Sequence, residues 1–482
     1  MSAVGLRSER GPVLLAIMVS TGLVAIDATI LATAVPSVVK DIGGFSAFPW
    51  LFSIYLLAQA VTVPIYSKLA DMVGRKPIII FGIGLFLLGS ILSGFAWSMP
   101  ALIAFRAVQG LGAGAVQPMS ITIIGDIYSV AERARVQGYV AGVWAVSSVV
   151  GPTLGGVFSQ FISWRWIFYV NVPICILAVI LLMRGFHEKV EKRPHRIDFA
   201  GAGLLATSTA LIVLGVLEGG VAWPWDSPTS ILIFVVGAAA LAGFILVERR
   251  APEPVLPLWV FGRRLLLTTS LVGFGVGGAL IGLSSFVPTY LEGSIGATPL
   301  IAGLALAALT LGWPVSATFA GRLYLRIGFR LTALIGTVFV VAGTLALAAF
   351  GLQPSLIIVA VSCFAIGFGF GWSAVPTLIA AQASVGWSER GVVTGANMFS
   401  RSIGSAVGAA IFGAVANGLI AAHGGNENDP GTVALASTGV FIGIAITAVL
   451  IVLAVLAMPK TPVAAFSPAG PAAPATDAVV TS

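Results

Sequence analysis

Ser67-Lys-Leu-Ala-Asp-Met-Val-Gly-Arg-Lys76 is a short charged stretch lying where two apolar blocks, 48–70 and 77–97, meet. Blocks of about 20 residues have the length that carries an α-helix across roughly 30 Å of hydrocarbon at 1.5 Å per residue. Charges confined to the join between two such blocks mark a hinge between membrane spans. The same order of small residue, basic residue, Leu, three residues, Gly, one residue and basic residue returns in Gly321-Arg-Leu-Tyr-Leu-Arg-Ile-Gly-Phe-Arg330. Gly74 and Gly328 supply the tight turn, because glycine takes positive φ without steric cost. The basic residues grip the headgroup level and any acidic neighbour. Obedience to a general preference for basic residues on the inner side is the plainer reading of each hinge alone, but it leaves the repeated spacing without a cause.

Outward from these hinges the same beat fills the chain. Apolar blocks lie near 12–36, 48–70, 77–97, 100–127, 136–161, 165–184, 198–219, 228–247, 265–290, 299–320, 331–350, 355–381, 391–420 and 431–458, which makes fourteen spans. Of 482 residues 58% are hydrophobic and 9% charged, against about a quarter charged in soluble domains, which need polar cover against water. The fold class expected is an all-α polytopic membrane protein. Charged Gly185 to Ile197 and proline-broken Glu248 to Arg264 divide it into six, two and six spans. The domains expected are therefore 1–184, a six-helix bundle; 185–264, two linkers around two extra spans; and 265–459, a second six-helix bundle. Residues 460–482, rich in Pro, Ala, Ser and Thr, are expected to be a disordered tail.

Charge fixes the orientation and excludes several functions. With a cytoplasmic N-terminus, inner segments hold 21 of the 25 Lys and Arg residues. Outer segments hold only Lys40 and Arg165, while Arg106 and Arg401 fall within spans. Both termini are thus expected in the cytoplasm, with the protein in the cytoplasmic membrane. The net charge of +7 is spread over short hinges, so it serves topology and does not suggest nucleic acid as a partner. Arg7, Arg10 and Ala32-Thr33-Ala34 resemble a secretory leader with its cleavage site, but the block is long, contains Asp27 and is followed by thirteen more spans. No Gly-rich Lys-Ser/Thr loop implies ATP. The three histidines, His187, His195 and His423, are scattered in loops, and the two cysteines, Cys175 and Cys363, lie in separate spans. No catalytic cluster, metal site or cofactor is expected.

Of eighteen acids only Asp27 lies deep in a span. Counted along the helices, Asp27 lies roughly 13 Å and Arg106 roughly 9 Å from the outer ends of spans one and four, depths compatible with pairing. Burial favours a protonated carboxyl and a nearby guanidinium favours the ionised one, so a change in their separation or in water access would load and unload a proton. A static ion pair tying the two spans together is the alternative. Gly142, Gly151, Gly155 and Gly156 around Pro152 form a small-residue stripe with a bend, suited to close helix packing. Tyr55, Gln59, Gln109, Trp144, Phe286, Trp372, Asn397 and Arg401 fall near mid-span where a central cavity is expected, an apolar wall with few polar handles. Any one of these aromatics taken alone is more simply read as lipid-facing or packed core than as ligand-binding. Arg401, roughly 15 Å into span thirteen, needs a partner or a wet cavity.

The hinge Leu69-Ala-Asp-Met-Val-Gly-Arg-Lys76 resembles the signature loop of the major facilitator superfamily. Ile26-Asp-Ala-Thr-Ile30 with Ala34-Val-Pro36, Arg106-Ala-Val-Gln-Gly110, Gly151-Pro-Thr-Leu-Gly-Gly156 and Trp164-Arg-Trp-Ile-Phe-Tyr-Val-Asn-Val-Pro173 are similar to motifs of its fourteen-span drug:proton antiporters. The likeness runs from about residue 10 to 460. It implies two pseudo-symmetric bundles and export of small lipophilic compounds driven by protons. Asp27 and Arg106 then couple the proton. Asp71, Gly74, Arg75, Lys76 and Asp126 form a cytoplasmic latch, with a plain headgroup-level ion network as the alternative, and the stripe around Pro152 seals the halves. Ser67 stands where the family loop begins with glycine, and Leu325 stands opposite Asp71, so the acid's role belongs to the first copy only. A dedicated exporter of a lipid, siderophore or natural product is the runner-up, with an importer or channel behind it.

Overall fold

Both hinge glycines adopt the backbone their position demands: Gly74 has φ 104° and Gly328 φ 85°, values that disfavour any side chain. The computed structural model describes residues 5–6, 8–43, 50–188, 198–219, 222–252, 254–423 and 429–460. Part of the first long linker and the tail beyond Lys460 lie outside these. Apart from one bridge between Gly219 and Trp223, the regular elements among them are helices. In order they are α1 (Gly11–Ile42), α2 (Trp50–Val73), α3 (Arg75–Gly94), α4 (Met99–Ile127), α5 (Val130–Phe161), α6 (Trp166–Tyr169), α7 (Asn171–Gly185), α8 (Phe199–Glu218) and α9 (Pro228–Glu248). After them come α10 (Trp259–Gly262), α11 (Arg264–Ile295), α12 (Pro299–Ile327), α13 (Phe329–Ala349), α14 (Leu356–Ala383), α15 (Arg390–Ala422) and α16 (Pro430–Ala457).

Helix starts are written in the local sequence. Ser98, Ser227, Thr298 and Asp429 each cap a backbone N–H with the side chain, ahead of proline in the first turn, the position where a missing N–H costs nothing. Ser129 and Glu132 form a reciprocal capping box at α5. Thirteen helices among the described residues are long and apolar enough to cross a membrane. The fifth expected span corresponds to α5, 32 residues long, some of whose mid-helix side chains lie outside the described residues. The sixth span is made of α6 and α7, joined at Val170 with helical torsion angles, and Trp166–Gly185 counts as one crossing. The first helix runs Gly11–Ile42, past the end of the apolar block 12–36 read from the sequence.

Burial is arranged for lipid. The most exposed large side chains include Ile357 at 74% and Leu304 at 63%, which in water would be a liability and in hydrocarbon is the expected outer face. Apolar clusters join residues of α1 to α7 on one side and of α11 to α16 on the other. Lipid offers no hydrophobic drive between helices, so these packings depend on close approach of small residues. A side chain on Gly89 would strike Gln109 of α4, and one on Gly404 would strike the α11 backbone at Phe274. Helices α8 and α9 pack on each other, and α8 covers the contact of α2 with α15 through Leu57, Val213, Val216 and Ala406.

Candidate functional site

Asp27 sits midway along α1 and is 1% exposed. Arg106, carried by α4, donates from Nη1 to Asp27 Oδ2 at 2.8 Å and to Gln109 Oε1 at 2.7 Å. Its Nε donates to the Leu51 carbonyl at 3.2 Å, and the guanidinium lies 4.2 Å from the centroid of the Tyr55 ring. Gln109 Nε2 donates to Asp27 Oδ1 at 2.8 Å, and Asn171 Nδ2 to the same oxygen at 3.2 Å. Asn171 and Gln109 also donate to Ser90 Oγ, whose hydroxyl donates to the Phe168 carbonyl. The carboxylate of α1 is thus bonded from α4 and α7, and the surrounding network draws in α2, α3 and α6. Each bond to it is charge-assisted, and a buried acid with a cationic partner tolerates the apolar surroundings only because these bonds replace water.

Two expected cavity residues belong to this cluster. Gln109 is one helical turn from Arg106 on the same face of α4, and its amide bridges acid and guanidinium while fully buried. Tyr55 is 3% exposed, with its ring under Arg106 and its hydroxyl unpartnered. The Asn171 carbonyl oxygen is also unpartnered. Ser90 and Asn171 carry no pattern of their own in the sequence, although Asn171 lies within the Trp164–Pro173 motif.

At the basic end of the bundle, α2, α3 and α4 are locked to the start of α15. Arg75, fully buried, pairs with Asp71 at 2.7 Å and with Asp126 at 2.9 Å. It also donates to the Trp387 carbonyl at 2.6 Å and stacks 3.7 Å over that indole ring. The Asp71 carboxylate accepts from the backbone N–H groups of Gly391 and Val392 at 3.1 and 2.8 Å. An acid of one bundle therefore occupies the positive end of a helix dipole in the other. Arg390 returns the exchange by donating to Asp126 at 3.2 Å. Glu188 accepts from the backbone of Arg75 and Lys76 at the start of α3, and Lys76 Nζ donates to the carbonyls of Met183 and Phe186. Gly74 is the turn that aims Arg75 inward. Sequence reasoning missed Trp387, Arg390, Gly391 and Glu188; the basic residue directly ahead of span thirteen was the available signal. Among the described residues, every hydrogen bond and ion pair joining α1–α7 to α11–α16 lies at this end, Tyr324 Oη to the Val130 carbonyl included.

The stripe on α5 is narrower than the sequence suggested. Gly151 packs against Thr29 of α1, whose hydroxyl donates to the Ser147 carbonyl at 3.2 Å, and Gly155 is buried. Gly142 is exposed, and among the described residues nothing would touch a side chain on Gly142 or Gly156 within 4 Å. The side chain of Pro152 lies outside the described residues. Where α5 meets the other bundle, the close approach is made by Ala134 against Gly321 and by Gly138 against Thr318.

The remaining cavity residues scatter. Gln59 Nε2 donates to Gln117 Oε1 across α2 and α4 at 3.1 Å. Trp144 and Phe286 are half-buried, Phe286 against the core of the second bundle. Trp372 donates to the Ser316 carbonyl and packs on Phe339 and Phe368, so its contacts are with α12 and α13 and its own helix. Asn397 Nδ2 donates to the Thr269 carbonyl, fastening α15 to α11. Arg401 is half-buried, and among the described residues its guanidinium has no hydrogen-bond or ion-pair partner. Among the described residues no three His, Cys, Asp or Glu side chains are placed to hold a metal.

Comparison with known proteins bears on family and fold. The family model described as Major Facilitator Superfamily matches residues 17–409. The multidrug transporter protein MdtP of Bacillus subtilis is 33% identical over 417 residues, covering 86% of this chain and 77% of that protein. Multidrug resistance protein 3 of the same organism is 35% identical over 403 residues, covering 84% and 79%. In fold, the crystal structure of the human organic anion transporter MFSD10 (TETRAN) superposes with a TM-score of 0.63 at 15% identity, over 91% of this chain and 99% of that one.

Proposed function

The chain belongs to the Major Facilitator Superfamily and is a multi-pass membrane transporter, and from that premise we propose that it exports small lipophilic compounds across the cytoplasmic membrane in exchange for protons. The observation that carries this reading is the fully buried Asp27 tied to Arg106 through a network of amides. An acid at that depth is costly, and a group that must exchange a proton gives the cost a purpose.

The mechanism follows from the geometry. With the basic end as the cytoplasmic one, the latch of Asp71, Arg75, Lys76 and Asp126 holds the protein shut toward the cytoplasm. A proton reaching Asp27 from outside neutralises the carboxyl and cancels its attraction for Arg106. Helices α1 and α4 are then free to shift, and the two bundles, 1–184 and 265–459, rock until the latch opens. The proton leaves inward as substrate enters, and the restored ion pair resets the cycle. Gln59, Trp144 and Arg401 line the path, with Arg401 as its one free cation among the described residues, a handle for anionic or zwitterionic compounds. The names of the two bacterial relatives support a broad range of lipophilic substrates.

The test is uptake of a panel of neutral, anionic and cationic dyes into inside-out proteoliposomes with an imposed pH gradient. Accumulation must follow the gradient and vanish with a proton ionophore. Dye movement indifferent to the gradient would sink the antiport mechanism.

A further inference from the structure

The two bundles meet along two seams, and they are treated differently. The seam of α2 with α15 is covered by α8. Among the described residues the seam of α5 with α12 has no such cover, and a groove of about 1070 Å³ opens there at the basic end. Arg135 of α5 and Arg322 of α12 both line it, both are exposed, and neither guanidinium has a partner among the described residues. The groove's acid, Glu132, is already engaged by Arg10 at 3.1 Å and by the backbone of Ser129.

The vertical order of residues is the telling feature. Helix α5 enters the membrane from the basic end, so Tyr139 lies just over one turn, about 6 Å, deeper than Arg135. Helix α12 runs the opposite way, so Phe319 lies nearly one turn deeper than Arg322. Tyr139 is 37% and Phe319 49% exposed. Both walls, of opposite chain direction, thus present a guanidinium near the headgroup level and an aromatic ring below it. An anion with apolar chains attached matches that order, and a soluble anion would leave the rings unused.

We propose that this groove binds one anionic phospholipid of the basic-end leaflet, its phosphodiester shared by Arg135 and Arg322 and its upper acyl chains lying over Tyr139 and Phe319. Basic pockets between helices at this level suit such headgroups, and guanidinium matches phosphate oxygens with paired donors. Because one arginine comes from each bundle, the site is complete only while Ala134 and Gly321 are in contact. The lipid therefore favours the conformation shut at the basic end. Nothing in this depends on which solute is carried.

The test is native mass spectrometry of the purified full chain titrated with phosphatidylglycerol or phosphatidylcholine. At about the strength of one surface charge each, Arg135→Gln and Arg322→Gln should each weaken phosphatidylglycerol binding about five-fold and the pair about 25-fold. Arg→Lys at either position should stay within about two-fold, and phosphatidylcholine should bind weakly throughout. Unchanged phosphatidylglycerol binding by the folded double variant would overturn the site. Displacement of the lipid by glycerol phosphate at equal concentration would also overturn it, by showing a soluble-anion site. Should the glutamine variants fail to fold, Phe319→Ser decides: a several-fold loss of phosphatidylglycerol supports the lipid, and no loss refutes it.

Discussion

Arg106 and Arg401 are the two arginines deep within the spans, one in each bundle, and they are held in opposite ways. Arg106 meets an acid, an amide, a carbonyl and an aromatic face within one buried cluster. Arg401 meets no partner among the described residues and stays half-buried. The hinges differ in the same sense: Asp71 of the first pairs with Arg75 and the start of α15, while Leu325 in the second copy is exposed. A common architecture has thus been divided in labour. The first bundle holds a satisfied charge network, and in the proposed mechanism the second offers what passes a charge that has no partner among the described residues.

Stability gives the sharpest contrast between the two arginines. Arg106→Ala leaves Asp27 as an unpaired buried charge, and the expected loss is about 3–5 kcal/mol, the cost of breaking a buried pair. Arg401→Ala breaks no bond and should cost less than about 1 kcal/mol. Thermal unfolding in detergent checks both, and equal losses would end the distinction.

The latch should show in rates. Asp71→Asn removes an ion pair and the charge from two helix-end bonds, each charge-assisted contact being worth about 1.5–3 kcal/mol. Turnover should fall about ten-fold, with ligand affinity changed less than two-fold, because the loss falls on the balance between states. Equal losses in binding and turnover would point to misfolding instead.

Smaller effects should separate substrates by charge. Arg401→Ala should lower transport of anionic or zwitterionic dyes about five- to ten-fold and leave monocations within two-fold, while the wild type should carry monocations better than matched dications, since the path offers no free acid. A preference for dications would contradict this view of the second bundle.

The smallest effect belongs to a pair in the wrong place. Asp41, beyond the apolar stretch of α1, is held below the usual carboxylate range by hydrogen bonds from Arg165 and Trp164. A depressed carboxyl stabilises above its unfolded titration range and loses that contribution only as pH falls through its lower folded value. Between pH 5 and 8 it therefore changes nothing. Asp41→Asn should alter stability by about 0.5 kcal/mol at most and leave transport intact.

The helices and hinges were legible because apolar length and glycine placement are local properties. Asp27 and Arg106 were legible because a charge deep in an apolar block stands out. Their surroundings were not: Ser90 and Asn171 are ordinary residues until folding brings them to Asp27. The latch partners lie more than 260 residues from Asp126 and Arg75, beyond any periodicity. Ser67, a departure from the family loop, gains its reason only in three dimensions. Its side chain faces Gly395 of α15, where a Cβ would approach its Oγ to 2.6 Å, so the missing glycine is supplied by the partner helix.

Asp27 as the coupling acid is tested most directly in proteoliposomes that measure substrate and proton flux together, wild type against Asp27→Asn. The asparagine keeps the size and polarity of the side chain but cannot release a proton. The account predicts that gradient-driven accumulation and substrate-linked proton movement both fall to background, while downhill substrate exchange and binding persist. Undiminished proton-driven accumulation by Asp27→Asn would place the coupling site elsewhere and contradict the account.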